Sequence, residues 1–166
     1  MKYQSLCRIT FFTVFAIMGL FMIFSIAGCQ KAAFTPPRML DLQGDLRAHD
    51  PVMIRQGDMY YVFITGGRPG RGLIPIKCST DKLNWDSCGF VFDDLPEWAP
   101  IEVPGTRGIW APDISYFNGL YHIYYSVSTF GKNNSAIGLA TTPTLDQGSS
   151  DYKWTDHGMV VRSTSG

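Results

Sequence analysis

Neither sign of charge is in excess: 14 Lys and Arg face 14 Asp and Glu, so electrostatics gives no reason to expect a nucleic-acid partner. No Gly-x-Ser-x-Gly elbow, Walker loop or dinucleotide fingerprint occurs, which removes the common serine-hydrolase and nucleotide readings. Histidine is scarce, and His49, His122 and His157 lack finger-like spacing, so a zinc site has little support. No metal or other cofactor is expected within this chain. Acidic residues are absent from Met1 to Gly28, where Lys2 and Arg8 are the only bases. What the chain does hold is 11 Phe, 8 Tyr and 4 Trp beside 17 Gly and 10 Pro. That mixture suits short strands joined by tight turns rather than helices. With 45% hydrophobic and 17% charged residues, the 166-residue chain can support a core and is not expected to be disordered.

The first 28 residues read as an export signal, expected to be helical. Lys2 and Arg8 precede the apolar run Ile9–Ile26, which ends in the small residues Ala27 and Gly28. Ile26-Ala27-Gly28-Cys29 resembles the bacterial lipobox, in which cleavage leaves an acylated cysteine as the first mature residue. A plain transmembrane anchor is the rival reading, since the run is just long enough to span a bilayer. The small-small-Cys ending favours a lipoprotein, held at a cell surface or in the periplasm through Cys29. Residues 29–40, with Pro36-Pro37, then form a tether. Export leaves Cys78 and Cys88 as the remaining cysteines, either a disulfide across a strand-turn-strand unit or two buried thiols.

Internal periodicity identifies the architecture. Asp50–Gly57 sits opposite Pro112–Gly119 at an offset of 62, and Tyr60–Thr65 opposite Tyr121–Ser126 at 61. Ile76–Thr80 matches Ile137–Thr141 at 61, and Trp85–Gly89 matches Trp154–Gly158 at 69. Each copy holds four apolar runs separated by turn signals such as Gln56-Gly57-Asp58 and Asn118-Gly119. Four antiparallel strands repeated at a long period describe a β-propeller blade. The fold is therefore expected to be all-β, with blade one over about 46–95 and blade two over about 108–161. Two blades do not close a ring. The chain is expected to be a fragment or truncated frame, the rival being assembly of several chains into one ring.

Three places could do chemistry. His49-Asp50-Pro51 opens the innermost strand of blade one, where Asp50 either faces a ligand or caps a turn; Pro51 should bias Asp50 towards an extended backbone. Trp110-Ala111-Pro112-Asp113 opens blade two, where Trp110 either stacks on a sugar or packs between blades. Ser126–Ser135 reads as a long ligand loop around Phe130 and Gly131. Arg68-Pro69-Gly70-Arg71-Gly72 reads as a mobile hairpin loop with no helix behind it to hold phosphate.

These residues also carry a resemblance. His49-Asp50-Pro51, Gly108–Ile114, Tyr124–Gly131 and Asn134–Gly138 resemble glycoside hydrolase family 43, and within it the endo-α-1,5-L-arabinanases. The likeness runs from about Asp45 to Val161. It implies a five-bladed propeller and an inverting glycosidase with three carboxylates. By that resemblance Asp50 is the general base, Trp110 and Phe130 hold arabinose units, Gly131 lies where backbone approaches substrate, and Asp113 has a supporting role. The remaining Asp and the acid Glu are expected on third and fourth blades. Arabinan or another pectic polysaccharide is the implied partner, and the chain by itself is expected not to hydrolyse it. An exo-acting arabinofuranosidase or xylosidase and a non-catalytic sugar-binding propeller are the alternatives.

Overall fold

Alternation of period two is clearest in Leu120–Ser128, where Tyr121, Ile123, Tyr125 and Val127 are buried and the residues between them are half-exposed. Such a segment fits a strand with one face on a core. A computed structural model describes residues 38–163, and in it this segment is the seventh of nine strands. They are β1 (Gln43–Gly44), β2 (Val52–Gln56), β3 (Met59–Phe63), β4 (Leu73–Ser79), β5 (Asn84–Phe92), β6 (Ile109–Phe117), β7 (Leu120–Ser128), β8 (Ser135–Thr142) and β9 (Thr155–Arg162). Among the described residues one short helix, α1 (Trp98–Glu102), stands in sequence between the two sets of strands. The export signal with its expected helix, Cys29, most of the tether and residues 164–166 lie outside the described residues.

The strands make two antiparallel meanders, β2-β3-β4-β5 and β6-β7-β8-β9, and β1 adds to the first in parallel along β5. This is the repeated blade that the sequence leads one to expect. Asn118 and Gly119 both have positive φ between the paired Phe117 and Leu120, as a two-residue primed hairpin turn demands.

The register corrects two of the expected correspondences. Val52 pairs with Phe63 and Asp113 with Tyr124, so Asp50 corresponds to Ala111 at an offset of 61, not to Pro112 at 62. Asp-Pro and Pro-Asp hold the same residues in opposite order, and composition alone slid one against the other. Phe63 pairs with Ile76 and Tyr124 with Leu139, which puts the third segment at 63 rather than 61. From Tyr124 to its partner Leu139 the chain runs two residues further than from Phe63 to Ile76, and this length absorbs the difference. Cys78 pairs with Asp86 and Thr141 with Thr155, in keeping with the offset of 69 for the fourth. The expected ligand loop is also shorter. Ser126–Ser128 belong to β7, because Val127 is buried opposite Ala136 and Ser128 pairs with Ser135; the loop is Thr129–Asn134.

The core lies between the two sheets. Phe63, Leu73 and Ile74 of the first meet Ile109, Ile123 and Tyr125 of the second, all essentially without exposure. Each such side chain contributes roughly 1.5–3 kcal/mol by leaving water. Aromatic edges lock the contact: Phe92 meets Tyr125 at 5.1 Å and Phe63 meets Trp154 at 6.0 Å. The α1 helix supplies Trp98, whose indole N–H donates to the Tyr125 hydroxyl (3.2 Å), which in turn donates to Asp156. Burial, then the Asp156 carboxylate, pushes the Tyr125 phenol far above its ordinary pKa. Gln56 ties the sheets at the opposite end, donating to Thr144 Oγ1 and accepting from the Leu145 N–H.

The segment before blade one is anchored by charge. Lys77, only 4% exposed on β4, reaches Asp45 Oδ1 at 2.7 Å and the Asp45 carbonyl at 2.9 Å. That ammonium holds the Asp45 carboxyl below its usual range. Cys78 and Cys88 are joined as a disulfide between β4 and β5, with Cα atoms 5.9 Å apart.

Candidate functional site

Antiparallel pairing brings four segments to one end of the sheets. The residues before β2 lie beside those after β3, because Val52 pairs with Phe63. Likewise Ile109 pairs with Val127, so the start of β6 lies beside the β7–β8 loop. Asp50, Thr65, Trp110 and Phe130 thus share this mouth, each on a different segment.

Asp50 is not extended. Its φ is +49°, and Ala111, its counterpart in the second repeat, has φ +42°. A following proline disfavours the right-handed helical region, and both residues take the left-handed one, at Asp50 in place of the extended backbone expected. Such a conformation costs on the order of 1–3 kcal/mol at a non-glycine residue and persists only where neighbours enforce it. The enforcing contacts come from Thr65: its N–H donates to the His49 carbonyl (2.8 Å) and its hydroxyl donates to Asp50 Oδ2 (2.8 Å). The same hydroxyl oxygen accepts the Ala111 N–H at 2.6 Å. At Ala111 the β6–β7 register breaks between Trp110 and Asp113, which frees that N–H to bond outside its own sheet. His49 Nδ1 stands 3.6 Å from Asp50 Oδ2, and the Asp50 side chain stays 43% exposed. The carboxylate is therefore oriented on one oxygen and open to water on the other.

Beside it lies a hollow of about 260 Å³ lined by Gly105, Arg107, Trp110, Ser128, Thr129 and Phe130. Trp110 and Phe130 meet edge to face, 6.3 Å apart at 72°, and Phe130 is 89% exposed. Trp110 is half-buried at the mouth, leaving the inter-sheet core to other aromatics. Thr129 fastens the loop, donating its hydroxyl to the Pro104 carbonyl and its N–H to the Asn134 carbonyl. Gly131, at φ +73°, forms part of the loop turn, with open space where a side chain would stand. An exposed ring pair beside an oriented carboxylate can hold the apolar face of a sugar while the carboxylate accepts a proton from water.

Of the expected site residues, the structure brings Asp50 and Trp110 together through Thr65 and Ala111, and Trp110 with Phe130 directly. Asp113 is exposed on β6 and does not line the hollow. Thr65, Ala111 and Arg107 escape the sequence reading. For Thr65 a signal existed, since it ends the run matched to Tyr121–Ser126, where blade two also ends in a hydroxyl residue.

Comparison with known proteins bears on this geometry. The model of the family described as glycosyl hydrolases family 43 matches residues 44–166. The chain is 48% identical over 116 residues to the extracellular exo-α-(1→5)-L-arabinofuranosidase ArbA of Cellvibrio japonicus, covering 69% of this chain and 32% of that protein. It is 45% identical over 118 residues to the extracellular endo-α-(1→5)-L-arabinanase 1 of Bacillus subtilis, covering 70% and 35%. Among solved structures it is similar to the Cellvibrio cellulosa α-L-arabinanase complexed with arabinohexaose, with a TM-score of 0.66 and 45% identity over 72% of this chain and 36% of that one. The chain spans about a third of the length of the curated relatives it matches.

Proposed function

The chain belongs to glycosyl hydrolases family 43, and from that premise we propose that the protein carrying it cleaves internal α-1,5-L-arabinofuranosidic bonds of arabinan. The observation that carries this reading is the Thr65 hydroxyl, which sets the Asp50 carboxylate beside the Trp110–Phe130 hollow. Asp50 is the general base of an inverting reaction, and Trp110 and Phe130 hold the sugar, with Gly131 keeping the loop backbone open to it. Asp113 has a supporting role from β6. An inverting enzyme needs a second, protonated carboxyl roughly 6.5–9.5 Å across the bond, in surroundings that raise its pKa. Among the described residues no carboxylate lines the hollow, and Asp45 in the neighbouring cavity is held by Lys77. The acid and the Asp that tunes it are assigned to later blades of a five-bladed ring. The 166 residues alone are then without hydrolytic activity.

Product analysis on debranched arabinan, with the in-frame sequence after the Gly166 codon included, tests the reading. Mixed oligosaccharides support endo action. A single short product supports the exo reading that the Cellvibrio japonicus relative favours. Binding without any product supports a sugar-binding propeller.

Export through a lipidated Cys29 completes the proposal. Relatives named extracellular support export. Replacing Cys29→Ser should release the protein from the membrane fraction, and unchanged partitioning counts against the anchor.

A further inference from the structure

Arg47, Arg68, Arg71 and Lys77 take no part in the site described so far, yet all four line one cavity of about 530 Å³. The only carboxylate in that lining is Asp45. Lys77 engages it at 2.7 Å and Arg47 approaches it at 3.9 Å. Arg68 and Arg71 have no carboxylate at ion-pair distance among the described residues. Four cations against one anion is a local excess in a chain whose total charge is zero.

The turn that carries the two arginines is defined by its main chain. Arg71 N–H donates to the Arg68 carbonyl at 2.9 Å across Pro69 and Gly70, and Gly70 has φ +72°. Proline followed by a positive-φ glycine is type II turn chemistry. Arg68 N–H donates in turn to the Gly72 carbonyl at 2.9 Å. The segment is the hairpin expected, closed by two backbone hydrogen bonds.

Its position gives it a use. The Arg68–Arg71 turn belongs to the β3–β4 link, the counterpart in blade one of the β7–β8 link that sets Phe130 over Trp110 in blade two. Thr65 lines the cationic cavity and also bonds Asp50, so the cavity neighbours the carboxylate through that residue. Phe90 and Pro75 add apolar wall, which a sugar ring can cover and an inorganic anion cannot.

We propose that this cavity binds the carboxylate of a uronic-acid residue, its Arg68 and Arg71 guanidiniums accepting an acidic glycan next to the neutral sugar on Trp110 and Phe130. Paired guanidiniums match a carboxylate in geometry as well as charge. The inference rests on the sugar-binding reading of the mouth, but its anion chemistry can be tested apart from it.

Calorimetry on the full chain would use three probes: trigalacturonate, neutral arabinotriose and inorganic phosphate. Trigalacturonate should bind, weaken as NaCl rises from about 50 to about 300 mM, and lose about tenfold in affinity in the Arg68→Gln/Arg71→Gln double variant. The Arg68→Lys/Arg71→Lys pair, which keeps charge without the planar fork, should fall between. Arabinotriose binding should be unchanged by either pair and reduced by Trp110→Ala. Equal trigalacturonate affinity in wild type and the Gln pair, or no trigalacturonate binding, overturns the proposal. So does phosphate competing as well as trigalacturonate. If arabinotriose fails while trigalacturonate binds through the arginines, the arabinan reading falls and the acidic-sugar site stands.

Discussion

Asp50, just before β2, and Ala111, on β6, share one hydroxyl: that of Thr65, which donates to the carboxylate and accepts from the amide. This bond pair fixes the carboxylate and the start of the aromatic blade to each other. A carboxylate held on one oxygen is oriented in advance, as the proposed base requires.

Thr65→Val removes the hydroxyl with little change in shape. Both partners are partly exposed and regain water, so stability should fall by about 1 kcal/mol, read by urea unfolding. Affinity for arabino-oligosaccharides should fall as well, and Thr65→Ser should restore both. A Val variant equal to wild type in both measurements removes Thr65 from the site.

Phe130→Ala and Trp110→Ala separate binding from folding. Each ring contact is worth about 1 kcal/mol, so arabinotriose affinity should drop about fivefold per substitution in calorimetry. Because Phe130 is almost wholly exposed, its variant should keep the wild-type melting temperature.

A methyl group at Gly138 has nowhere to go. A Cβ there would stand 2.4 Å from the Tyr125 ring and 2.6 Å from the Trp98 ring. Gly138→Ala should destabilise by about 1–3 kcal/mol, visible as a lower urea midpoint with an unchanged slope. Absence of any shift would mean that the Tyr125 and Trp98 rings yield to the methyl group.

Acid should weaken the fold through two carboxylates. The Lys77 hydrogen bond lowers the Asp45 pKa, and N–H groups of Asn84 and Leu83 hold Asp81 far below the usual range. A folded-state pKa below the unfolded value of about 3.9 means that the unfolded chain binds the proton first. Stability is therefore present above about pH 4 and is lost as pH falls through the folded values. Asp45→Asn should flatten the acid limb of a stability-versus-pH curve, and an unaltered limb would show that Asp45 does not drive it.

The repeated blades were legible because pleated strands leave a local trace: Tyr60–Thr65 and Tyr121–Ser126 alternate aromatic and β-branched residues at matching places. Register was not, since Asp-Pro against Pro-Asp is undecidable until Val52 and Asp113 are seen paired with Phe63 and Tyr124. Asp50, Trp110 and Phe130 were legible as candidates through family motifs. Thr65 left a trace as the end of a matched run, but its role was not legible, because its hydroxyl serves partners 15 and 46 residues away that only packing brings near. The cationic cavity escaped for the same reason: Asp45, Arg68 and Lys77 are separate in sequence and gather only when β1 closes along β5.

The shared left-handed kink before Pro51 and Pro112 has a consequence for how such repeats diverge. Main-chain shape at these two stations is held in common, while one carries an acid and the other a methyl group. Aspartate tolerates that shape better than alanine does, so an acidic group could be grafted at Ala111 without reshaping the chain.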